Sequence, residues 1–218
     1  MASNFGNTWW GMAWLNSLSH IDYENRIPRG ASYARKGAVT VLKINENIVD
    51  AKVKGTRVRP YKVKIVLPKF TREDIDRLID AMLQKPALIT SLFQRQLTPE
   101  VADIARQCGL KIFPAKWSDL KMACDCPDWA VPCKHIAAVI YMLSREIDNN
   151  PFLVFEMHGV DLLSELAARN INVENKIKNI QPTALSKIVT KAAKSKSQNP
   201  ASQAEITAAR KRIDFSKL

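Results

Sequence analysis

The chain has 218 residues, 46% of them hydrophobic and 25% charged, with four cysteines and a formal net charge of +12. No apolar run approaches the roughly 18 residues of a membrane span, and the first residues lack the basic and apolar segments of a secretory signal. Three of the four cysteines crowd into twelve residues, which argues against a secreted disulfide scaffold and for a reducing compartment, the cytoplasm, with a nucleoid association compatible with the charge.

That charge is segregated. Residues 1–66 carry +7, residues 67–175 carry −3 and residues 176–218 carry +8. Two basic regions flanking a weakly acidic middle suggest a polyanionic partner, nucleic acid first among them.

Near the N-terminus, "TWWGMAWLNSL" predicts a short helix with Trp10, Trp14 and Leu18 on one face. Burial in a core is the expected role of these rings, in preference to stacking on bases. Residues 31–67 predict a β-meander built from "AVTVLKI", "NIVDAKV" and "PYKVKIVL". Alternation turns Val49, Ala51, Val53, Tyr61, Val63 and Ile65 toward a core and leaves Asp50, Lys52, Lys54, Lys62 and Lys64 outside. The intervening turn adds Arg57 and Arg59.

From Thr71 the period changes to that of a helix, with Thr71 as N-cap and Asp74 three residues on. Pro86 and Pro99 open two further helices, the second stopped by Gly109. Cys108, at that helix end, is expected to pack as a small apolar residue. After residue 133, "HIAAVIYMLSREI" predicts a long helix, and "PFLVFEMHG" and "VDLLSELAAR" predict shorter ones. His158 is expected to be structural. Beyond Asn175 the composition is rich in Lys, Ser, Ala and Gln, as in a flexible basic tail. Together these readings predict an α+β chain with four parts. Residues 1–70 hold the N-terminal helix and an antiparallel β-meander, 71–120 are helical, 121–170 hold a small Cys3His finger and its helices, and 171–218 form the tail.

The stretch "CDCPDWAVPCKH" places Cys124, Cys126, Cys133 and His135 in the pattern C-x-C-x6-C-x-H. Zinc takes four N/S ligands in a tetrahedron, and this set closes the shell. In an extended segment Cys124 and Cys126 point to one side. Pro127 and Pro132 bracket the return, and Cys133 and His135 fall at a helix N-terminus that favours a thiolate. A disulfide would leave an odd cysteine and ignore His135. A Cys133–His135 nucleophile would stand beside two competing thiols. A zinc deaminase needs Pro-Cys-x-x-Cys and His-x-Glu, and this chain has neither. Chance clustering is the remaining alternative to one structural Zn2+.

The cluster resembles the SWIM zinc finger, Cys-x-Cys followed by Cys-x-His. More narrowly, "WWG" (9–11), "RGASYARKGAV" (29–39), "VKGTRVRPYKVKI" (53–65), "CDCPDWAVPCKHIAAVIYML" (124–143) and "NPFLVFEMHG" (150–159) resemble the bacterial SWIM proteins associated with Swi/Snf-type helicases. The resemblance implies that Cys124, Cys126, Cys133 and His135 hold the zinc. It further implies binding of DNA or proteins beside a helicase-like ATPase, and it carries no catalytic residues.

Residues 116–135 balance three lysines with three aspartates, whereas residues 26–64 hold eleven Lys/Arg against two acids. The finger is therefore expected to act as a fold staple or a protein-docking surface. Phosphates would be held by Arg29, Arg35, Lys52, Lys54, Arg57, Arg59, Lys62 and Lys64, with Lys191, Lys194 and Lys196 of the tail. No P-loop, nucleophile-elbow or zincin motif is present, so a non-enzymatic nucleic-acid adaptor is expected. DNA is favoured over RNA as its partner, with no membrane and no small-molecule substrate. The alternative is a protein-interaction subunit of a larger assembly.

Overall fold

The computed structural model describes residues 5–19, 26–128 and 131–171. The tail, with Lys191, Lys194 and Lys196, lies outside the described residues. Helix α1 (Trp9–Ser19) is followed by α2 (Arg26–Arg35), β1 (Val39–Asn45), β2 (Ile48–Val53) and β3 (Tyr61–Val66). Helices α3 (Arg72–Leu83), α4 (Pro86–Phe93) and α5 (Pro99–Gln107) come next, then a short 3-10 turn and β4 (Lys121–Cys124). The described chain ends with α6 (Lys134–Asn149), α7 (Leu153–Glu156) and α8 (Leu162–Ala168). This is an α+β fold, as the sequence predicts. None of the described helices is long and apolar enough to cross a membrane.

The sheet has four antiparallel strands in the order β1-β2-β3-β4. Its inner face is the alternating apolar set of the sequence. Val49, Ala51, Val53, Tyr61, Val63 and Ile65 are all buried, and α6 packs against all four strands. The outer face is open to solvent. The meander prediction stops one strand short, because "KMAC" is too brief for alternation to register. Pairing of Val63 with Cys124 and of Ile65 with Met122 nevertheless extends the sheet into the cysteine cluster.

Residues 31–35, predicted as the start of the meander, belong instead to α2. Pro28 and Gly30 disguise this helix in the sequence. Pro28 falls in its first turn, where a missing N–H is tolerated. Gly30 marks a close helix crossing and not a bend. A Cβ there would run into the Ala137 side chain and stand 2.8 Å from the Ala137 carbonyl carbon and 2.9 Å from the Ala138 nitrogen. Gly30→Ala is therefore expected to destabilise the chain by about 1–3 kcal/mol through overpacking, read as a lower urea midpoint at unchanged m-value.

Gly11 has a similar role. A Cβ there would strike the Asp148 carboxylate. That carboxylate accepts hydrogen bonds from the N–H groups of Asn7 and Thr8 at 2.9 Å each and from the Thr8 hydroxyl at 2.6 Å. An acid on α6 thus caps the start of α1, where helix N–H groups lack partners. Trp14 and Leu18 are buried, and the Trp14 Nε1–H donates to the Ile140 carbonyl at 3.1 Å.

The predicted N-cap holds, and Asp74 completes a capping box with it. Thr71 Oγ1 accepts from the Asp74 N–H, and the Asp74 carboxylate accepts from the Thr71 N–H. His158 is buried, donates Nδ1–H to the Pro68 carbonyl at 2.6 Å, and stacks on Phe70 at 4.3 Å. Burial holds its pKa below the ordinary histidine value, so it is a neutral ring in a structural role. Cys108 is half-buried against the core.

Candidate metal centre

Two structural units bring the four ligands together. The first is the end of β4. Alternation puts Met122, Cys124 and Cys126 toward the core, and Lys121, Ala123 and Asp125 toward solvent. The ladder continues one residue past the strand, where the Asp125 N–H donates to the Lys62 carbonyl at 3.2 Å. The second unit is the start of α6. Cys133 is its N-cap, in extended backbone, and His135 lies in its first turn. The Val131–Pro132 bond leading into it is cis.

The ligand atoms of Cys124, Cys126, Cys133 and His135 all lie within 4.8 Å of one another. His135 Nδ1 is 3.9 Å from Cys124 Sγ and 3.8 Å from Cys133 Sγ. Around one Zn2+ at about 2.3 Å from each sulfur, tetrahedral geometry requires edges of about 3.8 Å. The fit is good. Nδ1, beside two of the sulfurs, is the atom presented to the ion, and the other ring nitrogen, Nε2, is buried without a hydrogen-bond partner. These four residues form a Cys3His site for one structural zinc ion. Four protein ligands leave no open coordination position.

Without an ion the site favours one thiolate. Cys133 is held down at about 4, first by a hydrogen bond from Cys124 and further by His135 and the Ile136 N–H at the helix start. That same pairing pushes the Cys124 thiol up, and burial raises Cys126. A divalent cation reverses this order, because coordinating thiols are deprotonated outright.

Around the ligands lies a shell that motif spacing does not reveal. The Tyr61 ring stacks on His135 at 4.3 Å, and Tyr33 meets its edge at 5.6 Å. The Arg57 guanidinium covers the far face of this stack, 4.1 Å from the Tyr61 centroid. It also pairs with Asp125 at 2.5 Å. Asp125, lying between two cysteine ligands, accepts in addition from the Lys62 N–H at 2.7 Å. Gly55 is needed here, since a Cβ would collide with the Tyr61 ring and come within 3.1 Å of His135 Nε2. Gly55, Arg57 and Tyr61 come from the "GTRVRPY" stretch, while Tyr33 comes from α2 and Asp125 from the end of β4. Partners of metal ligands commonly tune affinity by 10–100-fold. Tyr61→Ala and Asp125→Ala are accordingly expected to weaken zinc binding by about that range, measured by competition with a chromophoric chelator.

The expected phosphate-binding residues separate into groups. Lys52, Lys54, Lys62 and Lys64 are exposed, and Lys52, Lys62 and Lys64 line a groove of about 630 Å³ on the outer sheet face together with Lys43. Arg59 is exposed on the β2–β3 loop, and Arg29 and Arg35 are exposed on α2. Arg57 differs, because its guanidinium is engaged by Asp125 and Tyr61. Lys43, also on the groove, follows from the same alternation that marks Lys52 and Lys64 but stands outside the expected set.

A Cys3His centre bridging a strand end and a helix start defines a zinc-finger protein. Residues 107–144 match the SWIM zinc finger family, and the match includes all four ligands. The chain is also similar to an uncharacterized protein of Mycobacterium tuberculosis, 36% identical over 164 residues, which is 74% of this chain and 59% of that one. It thus spans less than two thirds of that relative's length. No solved structure matches.

Proposed function

We propose that this chain is a zinc-stapled, non-enzymatic adaptor that holds a nucleic-acid backbone, DNA rather than RNA, against the outer face of its sheet. In this reading it works in the cytoplasm beside a helicase-like ATPase or within a larger nucleoprotein complex. The observation that carries the proposal is the segregation of the exposed lysines. Lys43, Lys52, Lys62 and Lys64 share one groove on a face that no other described element covers. The closed ligand set of the zinc supports a role in stabilisation and not in catalysis.

None of the described aromatic rings is exposed, so base stacking has no platform there. In this reading contacts to phosphates are the source of affinity, and these position a ligand without reading its sequence.

Mobility shift with Lys52, Lys54, Lys62 and Lys64 all changed to Glu tests the proposal. Loss of the shifted band with partner pull-down intact supports it, and unchanged binding contradicts it. Neutralising about five phosphates also requires log K to fall with log salt at a slope of roughly −4 to −5, so a curve flat between about 50 and 200 mM salt opposes it.

A second reading, a protein-interaction subunit, is favoured by one feature. Val58 on the β2–β3 loop is fully exposed, and Val131 in the finger is 58% exposed. Replacing both with Ser and losing the protein partner while nucleic-acid binding persists would place docking at these loops.

A further inference from the structure

Two rows of side chains cross the outer face of the sheet, and they differ in how their charges are placed. In one row Asp50 is the register partner of both Lys43 and Lys64. An acid lies between two bases, so no two like charges are direct partners in that row. In the other row Lys52 and Lys62 are direct register partners. Val41 stands beyond Lys52, and at the opposite end the Asp125 carboxylate is engaged by Arg57 and by the Lys62 N–H. Among the described residues none of these four lysines forms an ion pair, and Asp125 acts on Lys62 only through a longer-range attraction.

Like charges placed directly opposite one another on neighbouring strands oppose sheet formation. A natural strand pair has many neutral alternatives at such positions, and each would make a more stable sheet. Both lysines face the groove, and Lys54 continues the same exposed alternation on β2 toward the zinc end.

We propose that the Lys52–Lys62 pair is the seat of a backbone phosphate, a single phosphodiester group of a nucleic-acid duplex bridging the two ammonium groups, while Lys43 and Lys64, each opposite Asp50 in the register, contribute less. This rests on the polyanion-binding reading above and makes it specific. A bound phosphate places negative charge between the two ammonium groups, so the ligand relieves a repulsion present in the free protein. Stability and binding must then respond in opposite directions to removal of either lysine, which a purely structural or merely solubilising pair would not do.

The test compares Lys52→Gln, Lys62→Gln and their combination with Lys64→Gln, which keeps stem length and removes charge next to Asp50. Thermal midpoints are read without ligand at low salt. Affinity for a 20-base-pair DNA duplex is read by fluorescence anisotropy across a salt series (the probe length being about two helical turns). Lys52→Gln and Lys62→Gln are each expected to raise the midpoint by about 1–3 °C. The double variant should flatten the log K against log salt slope by about 0.9, the share of one phosphate, and each single variant by no more than that. Lys64→Gln should leave the slope unchanged and the midpoint unchanged or lower.

A lowered midpoint in both Lys52→Gln and Lys62→Gln, or an unchanged slope in the double variant, overturns the seat. If the four-lysine Glu variant still loses duplex binding in that case, the face binds phosphate elsewhere and the adaptor reading stands. If it binds like the wild type, the adaptor reading falls as well.

Discussion

Stripping the zinc with a strong chelator, or replacing Cys133 by Ser, is expected to abolish cooperative folding of the region from β3 through α6. Cys133 is 1% exposed, caps α6, and stands against a core to which all four strands contribute. Structural zinc contributes on the order of 10–16 kcal/mol of apparent binding energy, while a whole domain has a net stability of about 5–15 kcal/mol. The ion therefore equals or exceeds the margin by which a domain of this kind is folded. Without it, three sulfurs converge on a space with one favourable thiolate among them, and the β4 end and the α6 start lose what joins them. Circular dichroism during heating checks this. A sigmoidal transition lost on chelation and restored by added Zn2+ is expected, whereas an unchanged transition contradicts it. Cys108→Ser, away from the cluster, is expected to cost no more than about 1 kcal/mol.

Trp14→Ala is expected to destabilise the chain by about 3–5 kcal/mol, the range for emptying a buried aromatic site. Trp14 is wholly buried, and its indole N–H is satisfied by the Ile140 carbonyl. Removal takes away both the packing and the donor, leaving that carbonyl without its indole donor. Urea titration measures the loss. Duplex affinity of the folded fraction should be unaltered, because this ring is on the core side and not on the lysine face. A large fall in affinity with stability preserved would instead make the tryptophan a ligand contact.

Much of the sheet is legible in the sequence because one of its faces is wet. Alternation from Val49 to Val53 and from Tyr61 to Ile65 assigns every side chain in those stretches to the correct face, and with it the lysine row. The helices from Thr71 onward are legible through their capping residue and opening prolines. The four zinc ligands are legible because their spacing and residue types suit one coordination geometry. Helix α2 is obscured, because a proline and a glycine in ten residues look like a turn until Ala137 shows why no side chain fits. The β4 strand is obscured by its four-residue length, since only pairing with β3 makes it a strand. The shell of Tyr33, Gly55, Arg57, Tyr61 and Asp125 is non-local. Its members lie up to 102 positions from His135, and they meet only because β3, β4 and α6 converge. Arg57 shows the consequence. Composition groups it with the bases proposed to hold phosphate, but geometry ties it to the metal centre.

The most direct test is the X-ray absorption spectrum of the purified chain at the zinc edge. One zinc per chain, with three sulfurs near 2.3 Å and one nitrogen near 2.0–2.1 Å, is the expected result. A first shell with two sulfurs or fewer, a shell containing water oxygen, or no zinc at all would contradict it.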